Sequence, residues 1–271
     1  MKRLLLLALI VTAPAAAAGQ TKPKGVLLED LTWLEAEKVL TQETVVVIPL
    51  GAAAKEHGPH LKLKNDWLIA EYLKKRVLER ASVVVAPTVN YHFYPAFLEY
   101  PGSTSLRLET ARDLVVDVCK SLARYGPRRF YVLNVGISTR LALQPAAEAL
   151  AKEGIDLRYT DLLKITGPVE KAIGKQEGGT HADEIETSMT LYMAPATVDM
   201  RKAAKDYHPS EVRRFTRDPK ARGIYSPTGI FGDATLATRA KGRQITRALV
   251  AGILKDIEEL RRSPAIAAPR Q

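Results

Sequence analysis

The chain has 271 residues, of which 46% are hydrophobic and 26% are charged, so it can bury a sizeable core and is too apolar to be intrinsically disordered. Its 40 Lys and Arg residues against 30 Asp and Glu residues give a formal net charge of +10. The basic residues are scattered and form no helix-long stripe with interleaved aromatic residues, so a nucleic-acid partner is not expected.

The first 18 residues differ from the rest of the chain. Residues 1–3 are positively charged, residues 4–11 form an apolar run and residues 13–18 are mostly Ala, which is the pattern of a cleaved secretory signal peptide. The apolar run is much shorter than the roughly 20 residues that span a bilayer. We therefore expect an exported protein, periplasmic or secreted, without a membrane anchor after cleavage. Cys119 is the only cysteine, so no internal disulfide can form.

Strand and helix patterns alternate after the leader. Thr32 and Glu35 have the spacing of a capping box at the start of a short helix that ends at Leu40, and the β-branched run 45–50 predicts a buried strand. The other predicted elements are helix 67–80, strand 82–89, helix 109–124, strand 129–135, helix 141–153, strand 155–159, helix 184–193 and helix 236–261. Residues 165–180 and 204–235 are predicted as loops. This alternation predicts an α/β domain over residues 25–262, with a parallel sheet covered on both faces and a flexible tail over 263–271.

Polar side chains concentrate in the segment that follows the first long strand. It contains Lys55, Glu56, His57, His60 and Asp66. Ligands bind at the carboxyl ends of strands in open parallel sheets, and imidazole with carboxylate suits Zn²⁺, Mn²⁺ or Fe²⁺. Asp66 also has the position of a helix N-cap, and an isolated His pair in such a loop would more often stabilise a turn. The neighbouring carboxylates favour the metal-site interpretation.

A second group of polar residues precedes the helix predicted at 184–193. His181 follows two glycines and is followed by Asp183, Glu184 and Glu186. Acids at a helix start also complement the helix dipole, which explains Asp183 and Glu184 equally well without a catalytic role. His181 lies before the helix and is better suited to general acid–base chemistry.

Four ordered motifs resemble the creatininase (creatinine amidohydrolase) family over about residues 25–257. They are His57-Gly-Pro-His60 with Asp66, Tyr100-Pro-Gly-Ser-Thr104, His181-Ala-Asp-Glu-Ile-Glu186-Thr-Ser188, and Gly229-Ile-Phe-Gly-Asp-Ala-Thr235 with Ala237 and Gly242. The resemblance implies a three-layer α/β/α sandwich with a mostly parallel sheet, often in a cyclic or hexameric assembly. It also implies metal-dependent hydrolysis of non-peptide C–N bonds; family members open cyclic amides, cleave formamides or trim small peptides.

The sequence departs from the family pattern at the metal centre. Lys55 stands where the family has a Glu ligand, Gly136 where it has a His, and Ser138 where creatininase has a Glu. A two-metal centre is therefore not expected. The resemblance leaves Glu56, His57 and Asp66 as ligands for one divalent metal (zinc, manganese or iron), completed by an acid of the second group. Alternatively, the Lys55 ammonium replaces the metal charge and pairs with Asp66, and no metal is bound.

We therefore predict a creatininase-family hydrolase of a small non-peptide C–N amide or cyclic amide, in a homo-oligomer. By resemblance, His181 moves a proton to the leaving nitrogen, and Glu184 or Glu186 orients it or completes the metal site. The substrate pocket is predicted to include Lys55, His60, His92, Asn134 and Ser138. The alternative is a periplasmic small-ligand-binding pseudoenzyme that has lost the metal centre.

Overall fold

The centre of the fold is a five-stranded sheet in which every pairing is parallel. The computed structural model describes residues 23–264 and residue 266, so the predicted signal peptide and most of the tail lie outside the described residues. The strand order is β1-β3-β2-β4-β5. The strands are β1 (Val26–Leu27), β2 (Val45–Leu50), β3 (Val84–Val85), β4 (Arg129–Asn134) and β5 (Asp156–Tyr159). The predicted parallel sheet is confirmed.

Helices cover both faces of this sheet because alternate strand residues point to opposite sides. Val46 and Ile48 pack with helices 108–123 and 140–151 in one core, whereas Val45 and Val47 pack with helices 65–80 and 239–262 in the other. The helices are α1 (Trp33–Val39), α2 (Asn65–Arg80), α3 (Leu108–Ala123), α4 (Arg140–Ala151), α5 (Leu162–Ile173), α6 (Glu184–Met193) and α7 (Arg239–Arg262). The α/β/α sandwich is thereby confirmed. Among the described residues, no helix has both the length and the apolar character needed to cross a bilayer.

Most predicted elements are present, and one of the helices α1–α7 was missed. The Thr32 capping box forms at the start of α1, and β2 has the predicted bounds. The loop predicted at 165–180 is wrong over its first half, where α5 forms. The Asp161 side chain caps this helix. Pro168, inside the helix, removes one backbone hydrogen bond, the one to the carbonyl of Lys164. Lys164 is exposed, so water can bind this carbonyl instead. The strand predicted at 82–89 is shorter, because only Val84–Val85 and a bridge from Val89 to Leu50 pair.

The segment predicted as long loops is largely irregular but contains two small strand pairs. Antiparallel β6 (Lys205–Asp206) pairs with β9 (Gly232–Asp233), and β7 (Phe215–Thr216) pairs in parallel with β8 (Ile224–Tyr225). This segment lies against the carboxyl edge of the main sheet, since Phe215 contacts the loop after β3. It therefore encloses the edge at which polar residues were expected.

Candidate active site

Three chain segments bring the ionisable residues together at the carboxyl edge of the sheet. The segment between β2 and α2 carries Lys55, Glu56 and His57, and His181 precedes α6. The His57 and His181 ring centroids are 5.1 Å apart. Asp66 lies in the first turn of α2, and both it and His57 are fully buried. The structure thus brings His57, Asp66 and His181 into one neighbourhood.

Asp66 holds two positively chargeable side chains. Its Oδ2 lies 2.8 Å from Lys55 Nζ and its Oδ1 lies 2.8 Å from His57 Nε2. The Lys55 ammonium is close to Asp66 Oδ2, but the contact does not have the direction of a hydrogen bond. Within the described part of the chain, Oδ2 therefore has no hydrogen-bond partner. Lys55 Nζ also lies 4.9 Å from the centroid of the Phe97 ring, a cation–π contact. The structure therefore contains the Lys55–Asp66 pair that the sequence suggested as the alternative to a metal ion.

Hydrogen bonds to carbonyl oxygens define the proton positions on both imidazoles. His57 Nδ1 donates to the Lys55 carbonyl at 2.9 Å, which leaves Nε2 towards the carboxylates. His181 Nε2 lies 3.1 Å from the Glu56 carbonyl oxygen and 2.7 Å from Glu56 Oε1. Because both are acceptors, Nε2 carries a proton, and in the neutral ring Nδ1 is the nitrogen with the lone pair.

Glu56 is held in place by its backbone and side-chain bonds. Its amide donates to Ser103 Oγ at 3.0 Å, and its Oε2 accepts from the Gly58 amide at 2.8 Å. Gly229 makes room for it: with φ at +83°, this glycine adopts a conformation that L side chains rarely use, and a Cβ there would lie 2.1 Å from Glu56 Oε2. Glu56 is therefore an anchored carboxylate that orients His181.

Glu186, on the first turn of α6, reaches both imidazoles. Its Oε1 lies 3.4 Å from His57 Nε2 and its Oε2 lies 3.7 Å from His181 Nδ1. The Ala182 amide donates to Oε2 at 2.7 Å, and Ala182 has a positive φ of 48°. This strained turn places His181 and Glu186 on the same side of the helix start.

The ionisable groups of the cluster shift one another's pKa values. Burial alone would lower the pKa of His57, but Asp66 beside it raises that pKa to about 9. Burial would raise the pKa of Asp66 and Glu186, yet Lys55 lowers the former and His57 lowers the latter, in each case below the usual range. The site is therefore a buried network of mutually stabilised opposite charges.

A cavity of about 750 Å³ opens beside this network. Lys55, His181 and Glu186 line it, together with Ser138 and an extensive apolar wall. This volume falls within the roughly 300–1,000 Å³ of small-molecule sites. The cluster is thus accessible to a small ligand.

Comparison with known proteins gives the family. The family described as "Creatininase: Creatinine amidohydrolase" matches residues 29–257. The chain belongs to the creatininase family. A creatinine amidohydrolase of Pseudomonas putida is 28% identical, with 87% of this chain and 97% of the relative covered. A mycofactocin precursor peptide peptidase of Mycobacterium ulcerans is 29% identical (76% and 81% covered), and a 3-dehydro-scyllo-inosose hydrolase of Thermotoga maritima is 24% identical (88% and 85% covered).

Solved creatininase structures share the fold. One described as "Creatininase Mn" superposes with a TM-score of 0.73 at 26% identity, covering 88% of this chain and all of that one. Another, a mutant described as "Zn-Zn type", has a TM-score of 0.71 at 26% identity and covers 88% and 99%. Family relatives thus hold divalent metals, which raises the question of whether this creatininase-family chain retains a suitable donor set.

The residues present fit one divalent ion that takes the place of the proton on His57 Nε2. His57, His181 and Glu186 each offer a ligand atom, and these atoms lie within 4.8 Å of one another. The 3.4 Å between His57 Nε2 and Glu186 Oε1 is the spacing expected of two ligands on one ion with bonds of about 2.1 Å in tetrahedral geometry. Gly136 has no side chain to offer a second ion, and Ser138 Oγ donates to the Phe93 carbonyl at 3.1 Å.

This donor set differs from the one expected from the sequence. His57 is common to both, whereas Glu56 is bonded to His181 and Asp66 lies against Lys55. His181, expected as a catalytic residue, and Glu186, one of the two acids expected to orient His181 or to complete the metal site, occur in the set instead. The difference arises because the positive φ at Ala182 turns the α6 residues towards His57, and sequence spacing does not reveal this turn.

Other predicted site residues lie outside the cluster. The Glu184 carboxylate accepts from the backbone amides of Lys175 and Gln176 at 2.8 and 2.7 Å and binds the Lys241 ammonium, so it joins α6 to its preceding loop and to α7. His60 Nε2 bonds Thr187 Oγ1 at 2.8 Å. Burial lowers the pKa of His60 to about 4, which keeps it neutral.

Of the predicted pocket residues, Lys55 and Ser138 line the cavity but His60, His92 and Asn134 do not. Asn134 Oδ1 accepts from Thr139 Oγ1 at 2.6 Å, and its Nδ2 donates to the Gly136 carbonyl at 2.7 Å, so it shapes the loop after β4. His92 is fully buried, and burial lowers its pKa to about 4. His60, His92 and Asn134 therefore lie outside the lining of the cavity.

Sequence reasoning missed the aromatic contacts of His181. The Phe97 and Phe215 ring centroids lie 4.3 and 5.4 Å from the His181 ring centroid. Phe97 follows the Tyr-His-Phe-Tyr run after the second predicted strand, a local signal that aromatic side chains gather there. Phe215 lies in the irregular segment, where no periodicity marked it.

Proposed function

We propose that this protein hydrolyses a C–N bond in a small non-peptide amide or cyclic amide at the His57–His181–Glu186 cluster. The observation that carries the proposal is the convergence of these three side chains and Lys55 at one cavity, in a chain of the creatininase family. Hydrolysis adds the hydroxyl of water to the carbonyl carbon, breaks the C–N bond and leaves a proton on nitrogen. The site has the positive charge, the ionisable groups and the space for this reaction.

His57, His181 and Glu186 would hold a single divalent ion. Such an ion supplies water of lowered pKa and polarises the substrate carbonyl. The chain itself orients the donors: the Lys55 carbonyl fixes His57 and the Glu56 carboxylate fixes His181. Lys55 lines the cavity, and its ammonium would stabilise the negative charge that develops on the carbonyl oxygen.

His181 can serve either the ion or the proton. An imidazole nitrogen whose lone pair binds an ion cannot accept a proton at the same time, and Nδ1 is the one free nitrogen of this ring. The variant His181→Gln separates the two roles. Loss of bound metal assigns His181 as a ligand, whereas retained metal with lost turnover assigns it to proton transfer to the leaving nitrogen.

The test of the proposal pairs metal analysis with turnover. The purified protein is assayed for bound zinc, manganese and iron, and then with a panel of cyclic amides, formamides and short acyl amides before and after addition of each ion. We expect about one ion per chain and turnover of at least one amide. Metal far below one ion per chain, with no turnover after any addition, would contradict the proposal.

A second candidate is a small-ligand-binding protein without catalysis. The observation that favours it is the Lys55–Asp66 ion pair, which already compensates a buried carboxylate without a metal. The double variant Lys55→Glu with Gly136→His tests it. A Cβ at Gly136 would lie 3.1 Å from Thr139 Cγ2, so a small local adjustment accommodates the new side chain. A gain of metal by the variant from a metal-free parent supports this second candidate.

Export and self-association are part of the proposal. Export rests on the leader-like first 18 residues, and self-association rests on the assemblies that the family resemblance implies. Fractionation of cells that express the full chain, followed by mass analysis of the mature N-terminus, tests export. Light scattering of the purified protein tests oligomer size, and a monomer at working concentration would contradict self-association.

A further inference from the structure

The cavity beside the cluster has a largely apolar wall. A continuous series of aromatic rings begins at the proposed reacting groups: the ring centroids of Phe97 and His181 are 4.3 Å apart, those of Phe97 and Phe215 are 5.0 Å apart, and those of Phe215 and Phe231 are 6.0 Å apart. All four side chains line the cavity. A group attached to an amide at His181 would therefore lie along phenyl rings.

Aliphatic side chains of the same cavity are exposed to solvent. Ile137, Leu141 and Leu163 line it and are 39%, 63% and 45% exposed. Single exposed apolar residues are ordinary, but several around one cavity mark a surface that a ligand covers. Buried aliphatic residues from α6 and α7, including Ile185 and Leu249, extend this wall. A small polar ring would leave most of this surface in contact with water.

The charged residues on the wall, outside the cluster, are mainly basic. Arg213 and Arg214 line the cavity and are exposed, and neither forms an ion pair with any residue that the structure describes. Arg140 also lines it, 3.6 Å from Asp161. Two acids also line the cavity outside the cluster: Glu170 accepts a hydrogen bond from Thr166 Oγ1, and Asp183 accepts hydrogen bonds from the Ile185 and Glu186 amides. The wall therefore combines an apolar surface with available guanidinium groups, which suits carboxylate recognition.

We infer that the cavity takes an amide whose non-reacting substituent is an aromatic or branched aliphatic group that carries a carboxylate. The rings of Phe97, Phe215 and Phe231, with the leucines of the cavity wall, contact the apolar part, and Arg213 and Arg214 contact the carboxylate. The inference rests on the proposed function for the position of the amide alone. Binding of the substituent requires no turnover.

Calorimetric titration with three probes tests the inference: butyrate, phenylbutyrate and phenylbutanamide. Butyrate lacks the ring, and phenylbutanamide has the same shape as phenylbutyrate without its charge. We expect phenylbutyrate to bind about tenfold or more tightly than butyrate, because the ring leaves water for an apolar wall. We also expect it to bind several-fold more tightly than phenylbutanamide. Equal affinities for phenylbutyrate and butyrate would overturn the inference.

Two variants and a matched control locate the site. Leu163→Gln should weaken phenylbutyrate binding several-fold. Leu34, on α1, is exposed to a similar degree (52% against 45%) and does not line the cavity, so Leu34→Gln should have no effect. The double variant Arg213→Gln with Arg214→Gln should abolish the preference for phenylbutyrate over phenylbutanamide. An unchanged preference would place the carboxylate at Lys55 or a bound ion and overturn the arginine assignment.

The outcomes separate this inference from the proposed function. Turnover of small amides without selective phenylbutyrate binding would overturn the inference and leave the hydrolase intact. Phenylbutyrate binding that is sensitive to Leu163→Gln, in a protein that hydrolyses no amide, would support the inference for the cavity and count against the hydrolase.

Discussion

Lys55 and Asp66 form a buried ion pair at the proposed active site, with Lys55 Nζ 2.8 Å from Asp66 Oδ2 and both residues no more than 5% exposed. The Lys55 ammonium contacts the Phe97 and Tyr94 rings on its other side. Asp66 has His57 as its second partner. The pair thus compensates a buried negative charge and presents a cation to the cavity.

Removal of the lysine charge should destabilise the protein. Lys55→Met leaves Asp66 buried with His57 as its remaining partner, and breaking a buried pair by removing one member costs about 3 kcal/mol. Urea denaturation measures this loss in the free energy of unfolding. Added Zn²⁺ should restore part of it, because an ion near His57 supplies positive charge beside Asp66.

Lys120→Met is the matched control. Lys120 Nζ lies 2.7 Å from Glu153 Oε1, but these side chains are 45% and 49% exposed, so we expect less than about 1 kcal/mol. If Lys55→Met and Lys120→Met lose the same free energy of unfolding, the buried position of the Lys55–Asp66 pair adds nothing to stability.

Two acids two positions apart on α6 should behave differently. Glu186→Gln weakens the cluster, since the Glu186 carboxylate faces both imidazoles. We expect bound metal and turnover to fall by roughly tenfold or more with a modest change in stability.

Glu184→Gln removes the charge that pairs with Lys241 and should lower the unfolding free energy while leaving kcat near that of the parent. Metal content, kcat and urea midpoints, measured together on both variants, check the prediction. Equal losses of kcat would return Glu184 to the catalytic group.

These two glutamates also show how far the sequence predicts the site. Glycines before His181 and acids after it predicted a helix start beside reactive groups, and that helix begins where expected. Which acid faces His57 depends on the Ala182 turn, and single-residue φ values are not encoded in a periodic pattern. Similarly, β2 and its apolar run were predictable, whereas α5 was missed because Gly167-Pro168 usually ends a helix.

A glycine-to-alanine pair tests the packing of Glu56. Gly229→Ala should reduce activity and stability, because its Cβ would lie 2.1 Å from Glu56 Oε2 at a φ of +83°. Displacement of Glu56 frees His181, so we expect kcat to fall about tenfold or more. Gly167→Ala is the control: apart from its chain neighbours, a Cβ there meets nothing within 4 Å, and kcat should stay near that of the parent. Thermal unfolding and kcat of both variants decide the matter, and an active, stable Gly229→Ala protein would contradict the anchoring role of Glu56.

Asp183 should make stability depend on pH. Burial raises the pKa of its carboxyl from 3.8 to about 7, although it caps α6 through the Ile185 and Glu186 amides. A folded-state pKa above the unfolded value means that the folded protein holds the proton more tightly. The stabilisation is therefore complete below about pH 4 and is lost as the pH rises through 7. At about 1.4 kcal/mol per pKa unit, the loss is on the order of a few kcal/mol.

Asp183→Asn removes this titration and keeps a side chain that caps helices well. The unfolding free energy of the variant, measured in urea at intervals between pH 4 and 8, should fall less with rising pH than that of the parent. Asp161→Asn changes the N-cap of α5, a less buried position, and serves as the control for removing a capping carboxylate. Other groups titrate in the same pH range. The unfolding free energy of each variant is therefore compared with that of the parent at the same pH. A parent and an Asp183→Asn variant with parallel pH profiles would show that the buried carboxyl is not held protonated near neutral pH.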